Sequence, residues 1–293
     1  MIIGNIMLTI FTPTYNRSKL LKRAYQSLKD QTNRDFCWLI VDDGSTDDTK
    51  KVVEGWIQEG GIPIEYHYCE NGGKMRAHNR GVRLCKTDWF LCLDSDDYLV
   101  NDAVESILKC IDENTVDDRL AGIIAHKGKN STELLSGVDF PDGIRRSTLY
   151  GLYLKGFKGE TTLIFRTEVL KKYPFPEIDG EKYVPEDYIY DKIDAEYEYL
   201  VFNKILTVCE IVSDGYTDSV RKLREDNKQA WYFYFEQRAR ITPMSIRKLK
   251  YLGYYRLYAR MSGHALNEAD GISLWNKLLG IPGEIILRMK GSM

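Results

Sequence analysis

The sequence has no apolar run long enough to cross a bilayer; even Ile281 to Met289 is broken by Pro282, Gly283, Glu284 and Arg288. It also lacks an excess of charge of either sign, because 41 Lys and Arg face 43 Asp and Glu across 293 residues. A net charge of -2 supplies no field to draw in nucleic acid, so no nucleic-acid partner is expected. The six cysteines, Cys37, Cys69, Cys85, Cys92, Cys110 and Cys209, form no CxxC pair. Most sit inside apolar segments, where the expectation is a small buried thiol in a reducing compartment. The N-terminus begins Met1-Ile2-Ile3 but lacks the positive region followed by an apolar run and small-residue cleavage site that an export signal needs. The expected location is therefore cytoplasmic, with any membrane contact peripheral, on the inner face of the cell membrane.

Further absences narrow the chemistry. No GxGxxG or GxxxxGK[ST] motif occurs, which removes the usual dinucleotide and ATPase phosphate loops. His67, His78, His126 and His264 lack the spacing of a zinc site, and Ser45 does not stand in a GxSxG elbow. Neither a short internal repeat nor a low-complexity tract is present. What remains is a globular composition, 43% hydrophobic and 29% charged, sufficient for one large core or two modest domains.

The first half alternates between two periods. Met7 to Thr12 reads as a buried strand, and Asn16 or Ser18 can cap a helix running through Leu20, Leu21, Ala24, Tyr25 and Leu28. Phe36 to Val41 is a second strand, ended by Asp42-Asp43-Gly44-Ser45. Ser45, Asp47 and Asp48 suit the cap and first turn of a helix carrying Val52, Val53, Trp56 and Ile57. Ile64 to Tyr68 is a third strand, followed by the turn Asn71-Gly72-Gly73 and a helix from Lys74 to Cys85. Trp89 to Leu93 is a fourth, ended by Asp94-Ser95-Asp96-Asp97, before a helix marked by Val104, Ile107, Leu108 and Ile111. Such units predict an α/β fold of parallel strands joined by right-handed crossovers, with ligands gathering beyond the strands' carboxyl ends.

Downstream, Leu120 to Ala125, Thr161 to Arg166 and Leu206 to Val212 read as strands, residues 128–146 as a surface excursion, and Tyr188 to Phe202 as helical. The expected division is a catalytic domain over residues 1–215 and a helical extension over 216–293. In the extension, aromatic residues from Trp231 to Tyr258 are interleaved with Arg and Lys, and Pro243 is expected to start a second helix. Two readings stand for this tail, packing into a core or a homo-oligomer, and peripheral membrane contact through Leu274 to Met289.

Three polar clusters fall at three strand ends. Asp94-Ser95-Asp96 would project carboxylates into one crevice, and oxygen ligands of this kind suit Mg2+ or Mn2+ shared with phosphate. The same residues also serve as ordinary turn and cap formers. Asp42-Asp43 carries more acid than a cap requires, leaving one carboxylate to accept from a base or ribose. Asn71-Gly72-Gly73-Lys74 with Arg76 offers mobile backbone and two cations to a diphosphate.

Together these residues resemble the family 2 inverting glycosyltransferases of the GT-A fold. The resemblance spans about residues 1–215: Thr12-Pro-Thr-Tyr-Asn16, Asp42 to Asp47, Asn71 to Gly81 and Asp94-Ser-Asp-Asp97 match four ordered signatures, the last the DXD metal motif. It implies a Rossmann-like domain with a mixed central sheet and a C-terminal helical extension, acting in bacterial polysaccharide or glycolipid synthesis. It further implies a nucleotide-sugar donor, expected to be UDP-linked, and a glycan or lipid-linked glycan acceptor. In the family pattern Thr12, Pro13, Tyr15 and Asp43 line the base pocket, Lys74 and Arg76 are donor-side contacts, and Asn79 and Gly81 complete the helix motif. Asp94 and Ser95 lie near the ribose. Asp96, with Asp94 or Asp97, would hold Mn2+ or Mg2+. Glu186-Asp187 resembles the late acidic pair, with Asp187 as general base and Glu186 in support. His78 stands where the family commonly has Arg. A nucleotidyltransferase and a noncatalytic sugar-nucleotide-binding partner are the alternative readings of the same clusters.

Overall fold

The computed structural model describes residues 7–209, 220–266 and 271–289. Contacts group the chain into two units, residues 1–174 with 190–212, and residues 175–189 with 213–293.

The first unit contains, in order, β1 (Leu8–Thr14), α1 (Leu21–Lys29), β2 (Phe36–Asp42), α2 (Thr49–Glu59), β3 (Ile64–Tyr68), α3 (Lys74–Leu84) and β4 (Trp89–Cys92). It continues with β5 (Asp97–Leu99), α4 (Ala103–Asp112), β6 (Leu120–Gly128), β7 (Arg146–Ser147), α5 (Leu149–Leu154), β8 (Thr161–Arg166) and α6 (Thr167–Leu170). Helix α7 (Asp187–Asp194) begins in the second unit, and β9 (Glu198–Cys209) completes the first. The strands form one mixed sheet in the order β3-β2-β1-β4-β8-β6-β9-β5, with β7 on β9. β1 pairs in parallel with β2 and β4, and β2 with β3. β8 runs antiparallel to both β4 and β6. Every residue of β1 is buried, as in a strand covered on both faces. Leu8, Ile10, Trp38, Ile40 and Leu91 share its core with Leu21, Leu28 and Val53 of the flanking helices.

Several local expectations need correction. Neither Asn16 nor Ser18 caps α1, which has no side-chain cap. Asn16 instead adopts φ 52, a left-handed conformation that Asn tolerates, and its side-chain oxygen accepts from the Thr46 amide at 2.8 Å. The apolar spacing after Tyr188 is helical only to Asp194; Glu198 to Phe202 belong to β9, where Tyr199 and Leu200 are buried in pairing with β6. The expected strand Leu206 to Val212 is the end of that strand to Cys209, and residues 210–212 lie outside the described ones. None of the six cysteines is in a disulfide; Cys85 and Cys110 are buried as expected, whereas Cys37, Cys69, Cys92 and Cys209 are only partly buried.

The second unit holds α8 (Val220–Asp226), α9 (Lys228–Ile241), α10 (Ile246–Met261), α11 (Leu274–Leu279) and α12 (Ile281–Met289). Its core is aromatic: Trp231, Tyr232 and Phe235 of α9 meet Tyr254, Tyr255 and Tyr258 of α10, with Phe235 stacked on Tyr254 at 4.5 Å. Ser245, not Pro243, starts α10, its hydroxyl accepting from the Lys248 amide at 3.2 Å. α12 lies close against α10, since a Cβ added to Gly253 would stand 2.8 Å from the Gly283 backbone. Among the described residues no helix is long and apolar enough to cross a membrane.

Candidate functional site

The parallel pairing of β1, β2, β3 and β4 brings their carboxyl ends to one side of the sheet. There the two aspartates ending β2 have separate jobs. Asp42 is fully buried and builds the turn, accepting from the Ser45 amide at 2.7 Å and the Tyr66 hydroxyl at 2.6 Å. Burial, then the Asp42 carboxylate, pushes the Tyr66 hydroxyl well above its ordinary range. Asp43 holds the loop after β3: the amides of Gly72 and Gly73 each donate to one of its carboxylate oxygens at 2.8 Å. Asn71 Nδ2 donates to its backbone carbonyl at 2.8 Å. Gly44 permits this approach, because at φ 84 a Cβ there would lie 2.8 Å from the Asn71 nitrogen.

The turn from β4 into β5 carries the acidic cluster, closed by the Asp97 amide donating to the Asp94 carbonyl at 3.0 Å. Lys74, the first residue of α3, places its ammonium 2.8 Å from an Asp94 carboxylate oxygen. Desolvation pushes Asp94 upward, but Lys74 and then Lys127 outweigh it and hold the carboxyl down at about 2. Arg23 of α1 donates to the Asp96 carbonyl at 2.7 Å. Asp97 is buried and paired with Lys127 of β6 at 3.1 Å, and the Cys209 thiol donates to the same oxygen at 3.2 Å. Lys127 loses hydration by burial, but Asp94 and Asp97 more than compensate and keep it cationic. Arg76 folds back on its own loop, donating to the Gly72 carbonyl at 2.9 Å.

Among the described residues no group of three or more His, Cys, Asp and Glu side chains is placed to hold a metal ion. Asp94 and Asp96 offer only carboxylate oxygens, the donors a hard divalent cation takes. Such a donor set fits Mg2+ or Mn2+ when oxygens of a bound diphosphate complete it.

In the second unit, the segment leading into α7, with Glu186 just before the helix and Asp187 at its start, is fastened to α9. Glu181 accepts from the Gln229 and Ala230 amides at 2.7 and 2.8 Å, and Asn227 accepts from the Lys182 and Tyr183 amides at 2.8 and 2.9 Å. Gln237 donates to the Tyr188 carbonyl at 2.9 Å, and Arg238 to the Asp187 carboxylate at 2.8 Å. Crowding by protein atoms raises the Asp187 carboxyl above its ordinary value, against the pull of Arg238 and with the help of Glu186. Its side chain nevertheless stays 44% exposed.

The model of the family described as glycosyl transferase family 2 matches residues 9–173. The chain belongs to this family. Chondroitin synthase of Escherichia coli is 38% identical over 115 residues, which are 39% of this chain and 16% of that protein. The GalNAc(5)-diNAcBac-PP-undecaprenol beta-1,3-glucosyltransferase of Campylobacter jejuni is 28% identical over 172 residues, covering 58% of this chain and 55% of that protein. The chain thus spans less than two thirds of the length of either relative. The crystal structure of TarS from S. aureus in complex with UDP-GlcNAc superposes with a TM-score of 0.62 at 19% identity, over 96% of this chain and 81% of that one. That likeness is one of fold, and the fold is GT-A.

Within this family 2 chain, the parallel strands bring Asp43, Asp94, Ser95 and Asp96 of the loops after β2 and β4, and Lys74 and Arg76 of the first turn of α3, to the same side of the sheet. Of the other expected pocket residues, Tyr15 is 48% exposed after β1, and Pro13 is buried in the strand. The Thr12 hydroxyl accepts from the Trp38 indole at 3.0 Å inside the core. His78, in the slot where Arg is common, is buried edge-on to Phe11 and Phe90, with ring centroids 5.8 and 5.6 Å away. Sequence reasoning missed Lys127, Arg23 and Arg238. Lys127 follows His126 at the end of a strand that is apolar up to Ala125, a signal that was available, whereas Arg23 and Arg238 look like any charged residue on a helix.

Proposed function

We propose that this chain transfers a sugar from a nucleotide diphosphate sugar, UDP-linked, to a hydroxyl of a glycan or lipid-linked glycan, with inversion at the anomeric carbon. The observation that carries the reading is the Lys74–Asp94 pair at the acidic turn, next to the interlocked loops of Asp43 and Gly72-Gly73. Family membership, and relatives whose names describe glycan and undecaprenol-linked glycan synthesis, support the same reading.

In this mechanism Asp43 and Tyr15 bind the base, Asp94 and Ser95 the ribose side, and Lys74 and Arg76 the diphosphate. The acceptor oxygen attacks the anomeric carbon as the bond to the leaving phosphate oxygen breaks, and Asp187 takes the hydroxyl proton. Attack opposite the leaving group inverts the configuration. Mn2+ or Mg2+ held by Asp96 with Asp94 would supply charge stabilisation at the leaving diphosphate. Lys74 and Lys127 contribute fixed positive charge beside the same turn. Arg238 orients Asp187 and keeps it ionised, and Glu186 supports the acceptor side.

The test is a donor screen by mass spectrometry with Mn2+ or Mg2+ present, followed by glycan and lipid-linked acceptors. Release of a nucleoside diphosphate with a sugar-extended acceptor is expected. Release of pyrophosphate from a nucleoside triphosphate would overturn the reading in favour of nucleotidyl transfer.

A further inference from the structure

Helix α12 is built inside out. Its buried side carries Glu284 and Leu287, with Gly283 against α10. Its outer side carries Ile281, Ile285, Ile286 and Met289, the last 82% exposed. In α11 the same holds, with Leu274 73% and Trp275 77% exposed and Leu278 and Leu279 also open. These residues recur four apart, at 274 and 278, 275 and 279, and 281, 285 and 289, so each helix presents a continuous apolar stripe. Packing against a protein core would have turned these stripes inward. Here the inward place goes to a carboxylate that accepts from Arg256 Nε at 2.9 Å and Arg288 Nη2 at 2.7 Å, with Arg260 Nη2 at 3.3 Å.

The charges around the stripe select its occupant. From Met244 onward the sequence has three acids, Glu268, Asp270 and Glu284, against eight Lys and Arg, and among the described residues Glu284 is the acid set between the arginines. Three guanidiniums on one carboxylate leave two positive charges over, and Arg247, Lys250, Arg260 and Arg288 are exposed. Docking the face on a second copy of itself would oppose like charges. A tryptophan-bearing aliphatic stripe on helices whose α10 and α12 neighbours Arg260 and Arg288 are exposed beside Glu284 matches instead the boundary between acyl chains and anionic headgroups.

We propose that α11 and α12 dock on an anionic phospholipid surface, with Leu274, Trp275, Leu278, Ile285, Ile286 and Met289 entering the headgroup boundary. The full chain is tested by sedimentation with vesicles of phosphatidylglycerol and phosphatidylcholine, and of phosphatidylcholine alone, at low and high salt. Binding to the anionic vesicles is expected, falling with salt, and reduced more than about tenfold in a Trp275→Glu/Ile285→Glu double variant. Arg260→Gln and Arg288→Gln, on exposed positions beside Glu284, are expected to cost about fivefold each. A Trp275→Gln/Leu278→Gln variant with an unchanged circular dichroism spectrum guards against misfolding. The proposal is overturned if the chain fails to sediment with anionic vesicles, binds neutral ones equally, or binds undiminished as the variants. It is equally overturned if the substitutions dissociate a dimer in solution while vesicle binding is absent.

Discussion

The Lys74 ammonium lies 2.8 Å from the Asp94 carboxylate, joining the first residue of α3 to the turn that follows β4. The pair ties the start of α3 to the acidic turn, so the chain's own contacts position the two segments proposed to meet a diphosphate. Lys74→Met is expected to weaken UDP binding about tenfold or more, in line with the roughly 1.5–3 kcal/mol of a charge-assisted hydrogen bond. Isothermal titration with UDP measures this. The double variant with Asp94→Asn should lose less than the sum of the two single losses, because each single change leaves the other charge unpaired. Full additivity would show that the two residues act independently.

The same pair fixes a response to acid. Asp94 is held down at about 2, below the ordinary 3.8, so its contribution to stability is complete above about pH 4 and is lost as pH falls toward 2. With a third of the side chain exposed, solvent screening limits the contribution to about 1 kcal/mol. Urea unfolding between these pH values should show a shallower loss of stability in Asp94→Asn than in the unchanged chain.

Asp43→Asn tests the interlocked loops. Both carboxylate oxygens accept backbone amides, from Gly72 and Gly73, and an Asn side chain offers only one oxygen. One buried amide then faces an NH2 group, and a loss of about 1–3 kcal/mol is expected in urea unfolding. A neutral outcome would mean that the loop after β3 does not depend on this carboxylate.

Gly81 tests the packing of α3. A Cβ at this position would stand 2.3 Å from the Phe11 ring of β1, far inside contact distance. Gly81→Ala is expected to cost about 1–3 kcal/mol by overpacking, and Phe11→Leu in the same chain should recover part of it. Thermal unfolding of the single and double variants decides this.

Much of the first unit was legible because βα units announce themselves by period: β3 was read at its observed bounds, and β2, α3 and β4 within a residue or two. The acidic clusters at Asp42 and Asp94 were equally visible, because a polar run after an apolar strand marks the strand's exit. What was hidden depends on partners distant in sequence. Glu198 to Phe202 read as helical because Tyr199 and Leu200 continue a plausible spacing, and only their pairing with β6 makes them strand. That Asp42 is committed to Tyr66 while Asp43 holds the Gly72-Gly73 loop could not be separated from two adjacent letters. The outward apolar face of α11 and α12 was visible as composition, but its direction required Glu284 to be seen buried among arginines.

The pH dependence of transfer tests Asp187. A base works when ionised, and crowding raises this carboxyl above the ordinary aspartate value, so the acid limb of kcat/KM should lie at higher pH than for an unperturbed aspartate. Arg238 opposes the rise from 2.8 Å. Arg238→Gln removes that opposition and is expected to move the acid limb further upward, while Arg238→Lys, which keeps the charge, should largely restore its position. Asp187→Asn should lower kcat by about 10²–10⁴-fold across the whole range, with UDP binding retained. A merely structural Arg238 would lower the plateau without moving the limb. An Asp187→Asn chain that transfers sugar at full rate would remove this residue from the chemistry and leave the base to be sought elsewhere.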